Sequence, residues 1–283
     1  MRKITALIIA FLVLFISQAS FVWAQKEIED YFFQYEKYRN VYNDFVTAKE
    51  AYLKYQTLTS KDEAIETTQK LIDQRYQALR TYFLALKSKL RTAPGVVGAD
   101  YREQLISQLD KEINWLENQK GEVNGLSKPS LDDLFVISDR FEDKSEEIKS
   151  LSYQSLSAFL LGKVRSLYSD SVVITDFLKD EVFDLEVTQA AQMTDWLKEV
   201  ENKNYLSQKE IELAEANLEL LKKKKRENQM VPIYHDLKVN LNNSKQYLSQ
   251  AYQFQQEIFN ILNKIKNTDN SVESLEEENG SGL

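Results

Sequence analysis

The chain has 283 residues, with 44 acidic against 36 basic side chains for a formal charge of −8, one histidine and no cysteine. The acid excess argues against nucleic acid as a partner, since phosphate binding is driven by clustered Lys and Arg. The missing thiols exclude disulfides, thiolate metal sites and a cysteine nucleophile, so the fold must be held by burial and hydrogen bonding.

Residues 1–24 have the three-part layout of a secretory signal. Arg2 and Lys3 precede an apolar stretch from Ile4 to Ile16, and Ser17, Gln18 and Ser20 lead into Val22-Trp23-Ala24. As a helix the stretch reaches about 20 Å, short of the roughly 30 Å hydrocarbon layer, so cleavage after Ala24 is expected over a spanning anchor. The alternative is an uncleaved anchor from Ile4 to Trp23. Either way the bulk of the chain is expected outside the cytoplasm, secreted or in the cell envelope. Cleavage removes two basic residues and no acidic one, taking the charge to −10.

Glycine and proline placement organises the remainder, because they cost a helix interior about 1 and 3 kcal/mol relative to alanine. Pro94, Pro129 and Pro232 all fall between segments of helical period, and only Gly162 of seven glycines lies inside one. The expected fold is all-α: an elongated bundle of long amphipathic, partly coiled-coil helices with antiparallel hairpins. The expected divisions are an N-terminal helical subdomain over 25–121, a linker over 122–130, a long-helix coiled-coil-like subdomain over 131–267 and an acidic disordered tail over 268–283.

The first mature helix is predicted over 27–55. Tyr31, Tyr35, Tyr38, Tyr42, Phe45 and Tyr52 follow three- and four-residue steps along one face, interrupted by Lys49. A second helix starts after Ser60, with Glu63 completing a capping box, and ends before Pro94-Gly95; the short connection makes the pair an antiparallel hairpin. A third spans 100–120 and is closed by Gly121. Ser130 and Asp133 form the cap of a long segment whose apolar phase shifts near Gly162, leaving one helix or two over 131–182. Val172-Val173-Ile174-Thr175 looks like a strand only locally and is read as helix.

The coiled-coil pattern is clearest at Ala190, Met193, Leu197, Val200, Asn204, Ser207, Ile211, Ala214, Leu218 and Leu221, in a helix over 187–226. Asn204 and Ser207 interrupt it with the polar chemistry that sets coiled-coil register. A partner helix from this chain or from a second copy satisfies such a seam. Pro232 is expected in the first turn of a last helix reaching 266.

Catalytic motifs are missing. His235 has no second histidine or Glu-x-x-His partner, and no Gly-x-Ser-x-Gly elbow occurs. Gly162-Lys163 is not a phosphate loop, because Ser157 replaces the first glycine and Val164 the magnesium-binding hydroxyl. The chain is therefore expected not to be an enzyme, with no catalytic, cofactor or metal residues.

Two surfaces remain. The tyrosines Tyr31, Tyr35, Tyr38, Tyr42 and Tyr52 are either core packing or a face for a partner or ligand. Lys222, Lys223, Lys224, Lys225 and Arg226 either touch anionic headgroups or end a helix where cations complement its dipole. The leading expectation is a scaffold, spacer or protein-binding module whose partner is another envelope protein or a second copy of itself. The alternative is a helical bundle that binds an apolar or saccharide ligand through the tyrosine face.

Overall fold

A computed structural model describes the backbone of residues 2–93, 95, 98–185 and 187–280, and the side chains within 26–93, 95, 98–185 and 190–265. The described residues form six α-helices and no strand: α1 Arg2–Tyr55, α2 Leu58–Thr92, α3 Ala99–Gly125, α4 Leu131–Phe183, α5 Val187–Lys222 and α6 Glu227–Gly280. The all-α reading holds. The apolar side chains of the proposed signal and the acidic side chains of 268–283 lie outside the described residues. Among the described residues no helix is long and apolar enough to cross a membrane.

Two compact units make up the chain, one formed by Met1–Phe159 with Leu221–Pro232, the other by Leu160–Leu220 with Ile233–Leu283. The division falls within α4, while the 122–130 connection lies wholly inside the first unit. α4 is continuous through Gly162 and through Val172 to Thr175, so the shift of phase is absorbed without a break and 131–182 is one helix.

In the first unit α1 packs on α2 and α2 on α3. Both pairs run antiparallel: Gln74 Nε2 donates to Gln34 O at 3.1 Å while Tyr82 meets Tyr31 closer to the α1 N-terminus, and Lys87 pairs with Asp110 while Asn124 Nδ2 donates to Asp73 Oδ1. The core lies among α2, α3 and α4, where Tyr76, Phe83, Leu90, Leu105, Leu109, Leu116 and Leu134 are fully buried. Emptying one such aromatic position costs about 3–5 kcal/mol. By contrast, α1 buries only Ala48 among its described side chains.

Helix ends show where local pattern misleads. The cap of α2 is Thr57 rather than Ser60: Ser60 N donates to Thr57 Oγ1 at 3.2 Å and Thr57 N donates to Ser60 Oγ at 3.1 Å. Ser60 is therefore the returning partner, and Gln56 turns the chain at φ 51°. The α4 cap forms as expected, with Ser130 N to Asp133 Oδ2 at 2.8 Å and Asp133 N to Ser130 Oγ at 3.2 Å. α3 runs past Gly121 to Gly125, since Gln69 Nε2 from α2 donates to the carbonyls of Val123 and Leu126 at 2.9 and 3.1 Å. A distant side chain thus satisfies the orphan carbonyls that a glycine stop would otherwise answer.

α6 likewise begins at Glu227 and carries Pro232 inside it, instead of opening on that proline. The Glu227 N–H donates to Glu146 Oε2 at 2.7 Å and its carboxylate meets Lys149 at 2.9 Å, so α4 supplies the cap. α5 stops at Lys222, short of the expected 226, leaving Lys223 to Arg226 in the turn before α6.

In the second unit the heptad seam is answered within the chain. Met193, Leu197, Val200, Asn204, Ser207, Ile211, Ala214 and Leu218 are all buried, and Met193 and Leu197 join Leu178, Val182, Ile258 and Leu262 in one cluster. A polar layer interrupts this core: Ser171, Thr175, Asn204 and Gln255 are bonded together, and Ser207 Oγ lies 2.8 Å from Ser244 Oγ.

Candidate ligand site on the tyrosine face

A helix packed lengthwise on another repeats its contact face every seven residues. Tyr31, Tyr38, Phe45 and Tyr52 take that spacing and are half-buried, whereas Tyr35 and Tyr42 stand on the rim at 42% and 47% exposure. The tyrosine face is thus part packing and part surface. Successive ring centroids from Tyr31 through Tyr35, Tyr38 and Tyr42 to Phe45 lie 6.0, 6.4, 6.4 and 6.3 Å apart, within the favourable range for aromatic pairs. Lys49 continues the line instead of breaking it, with its ammonium 5.9 Å from the Phe45 centroid.

Near the N-terminal end of this line the helices part around a pocket of about 320 Å³, lined by Tyr31, Tyr35 and Tyr38 of α1, Arg75, Ala78, Leu79 and Tyr82 of α2, and Phe141 of α4. Of the predicted face, Tyr31, Tyr35 and Tyr38 meet here, while Tyr42 and Tyr52 lie outside the pocket. Arg75, Ala78, Leu79, Tyr82 and Phe141 were not anticipated. The first four have the i, i+3, i+4, i+7 spacing of one helical face, so an arginine on that otherwise apolar face of α2 was the readable signal.

Among the described lining residues Arg75 is the only charged one. Its guanidinium lies 3.8 Å from the Phe141 centroid and 5.6 Å from that of Tyr76. Nε and Nη2 are buried with no acceptor in strict hydrogen-bond geometry, and the Tyr76 side chain interacts with the guanidinium. Burial pulls its pKa below the ordinary value, opposed by Tyr76, Tyr38 and Glu142. An arginine stays cationic at neutral pH despite such a shift. Burial also raises the phenol pKa of Tyr31, with Tyr35 adding to it, and of Tyr38, where Arg75 pulls the other way. The phenols are therefore neutral, and the described lining residues present aromatic walls with one positive charge.

The basic cluster is partly engaged. Lys222 ends α5 with its ammonium 3.9 Å from the Tyr101 centroid, and Arg226 O accepts from Gln229 and Met230 at the start of α6. Lys223, Lys225 and Arg226 are exposed. His235 is exposed beside Asp236, at 3.8 Å. Among the described residues no three His, Cys, Asp or Glu side chains group as metal ligands.

Fold and site together define an all-α helical bundle with an aromatic, arginine-bearing pocket in its first unit. The chain matches no protein-family model, and no curated protein and no solved structure matches it significantly. The chemistry of its own residues is what bears on function.

Proposed function

We propose that this chain is an exported, non-enzymatic binding protein that takes a ring-bearing ligand into the pocket beneath its tyrosine face. The observation that supports this is the pocket of about 320 Å³, walled by four tyrosines and Phe141. It has the size and the mostly apolar lining of small-molecule sites. Export is supported by the charge, apolar stretch and small residues of 1–24; N-terminal sequencing of the mature protein should begin at Gln25. Saturation-transfer NMR with indole as probe tests the pocket. Transfer to indole that disappears on joint Tyr35→Ala and Tyr38→Ala substitution is expected, and no transfer to the intact protein overturns the reading.

A second reading, a scaffold or spacer that docks another envelope protein, draws on the side of α1 away from α2. Phe32 and Phe33 are 60% and 65% exposed there. Crosslinking from position 32 or 33 in the native envelope tests it, and capture of no protein counts against it.

A further inference from the structure

Four tyrosines around a cavity are the chemistry of a cation cage, in which ring faces attract an ammonium. Arg75 reverses that preference. It is the single charged side chain among the described lining residues, its guanidinium is stacked on Phe141, and Glu142 favours its charge through space. Apart from the interaction with Tyr76, its buried Nε and Nη2 have no acceptor in hydrogen-bond geometry, a state that costs free energy until one arrives. A ligand with a negative group on a flat apolar body meets both features: the anion answers the guanidinium and the ring lies against Tyr31, Tyr38 and Leu79.

We infer that the pocket is a site for a small aromatic or ring-bearing monoanion, a carboxylate above all, with Arg75 as the group that selects the anion. The inference rests on the ligand-binding reading above and assigns the ligand's charge. The pocket volume, at the lower end for small-molecule sites, limits the ligand to one ring system with a short acidic arm. The chain as a whole is acidic, at −8, so capture of an anion reads the local arginine and not bulk attraction.

Calorimetric titration of the intact protein with three indoles of one shape separates the cases: indole-3-acetate, neutral indole-3-acetamide and cationic tryptamine. Indole-3-acetate should bind at least ten-fold tighter than the amide, with tryptamine weakest, because a bond to a charged group is worth about ten-fold or more. Arg75→Gln should remove the preference for the acetate over the amide, and Arg75→Lys should keep part of it. Equal binding of acetate and amide, tightest binding of tryptamine, or an undiminished preference in a folded Arg75→Gln protein overturns the inference. If none of the three indoles binds, the ligand-binding reading itself fails. The three-ligand comparison on the unaltered protein decides the matter even if Arg75→Gln does not fold.

Discussion

Asn204 of α5 accepts a hydrogen bond from Ser171 Oγ of α4 at 2.8 Å, and its amide donates to Thr175 Oγ1 at 3.2 Å. Gln255 of α6 reaches the same two residues, donating to Ser171 O at 2.8 Å and Thr175 Oγ1 at 2.9 Å. All four are buried, so this layer ties three helices at a single register in a place where an apolar core would permit slippage. Asn204→Ala removes the bridging amide and leaves the buried Ser171 hydroxyl without the oxygen to which it donates. Urea unfolding should show a loss of about 1–3 kcal/mol. An unchanged midpoint would mean that the layer does not contribute to stability.

Gly121 and Gly98 make a contrasting pair. Gly121 lies inside α3, and a Cβ there meets nothing within 4 Å, so Gly121→Ala should stabilise the protein by about 0.5–1 kcal/mol by restricting the unfolded chain. Gly98, at φ 60°, opens α3 from the left-handed region, and Gly98→Ala should cost about 1–2 kcal/mol. Thermal melts of the two variants should move in opposite directions; parallel shifts would contradict the assigned backbone roles.

Glu112 gives a pH-dependent test. Its side chain is only 6% exposed beside Lys144 at 3.0 Å, and burial raises its pKa despite the opposing pull of Lys144, with Glu147 adding to the rise. A folded-state pKa above the unfolded value favours folding by proton uptake. That contribution is fully present below the unfolded carboxylate pKa of about 4.3 and is lost as pH rises through the folded pKa. Glu112→Gln lacks this loss, so its stability relative to the parent should improve between pH 4 and pH 7. A constant difference across that range would show that the carboxylate titrates normally.

Arg75 also acts on its tyrosine neighbours. Burial raises the pKa of Tyr38 and Tyr76, and in both the guanidinium pulls the value back down. Arg75→Gln should therefore move both phenol ionisations to higher pH, followed by NMR of labelled tyrosine. Phenols that stay put or titrate earlier would place the positive charge elsewhere.

The helical class and the buried seam from Met193 to Leu218 were legible because each depends on local periodicity. So was the polar break at Asn204, although its partners Ser171, Thr175 and Gln255 come from helices distant in sequence and carry no mutual signal. Helix ends were legible only where the cap is local, as at Ser130 and Asp133. The C-terminus of α3 is held by Gln69 and the N-terminus of α6 by Glu146, and neither contact leaves a mark near the end it serves. The candidate site divides the same way. Periodicity placed Tyr31, Tyr35 and Tyr38 on one face, whereas Phe141 reaches the pocket from α4 through tertiary packing alone, and Arg75 matters because of what it lacks.

The most direct test of a ligand site at this place in the fold is photolabelling with a diazirine-bearing arylacetate, mapped by peptide mass spectrometry. The account predicts label concentrated on residues 31–38 and 75–82, displaced by excess indole-3-acetate. Label distributed instead over exposed aromatics such as Phe177, Phe183 and Tyr205, and not displaced, would contradict it.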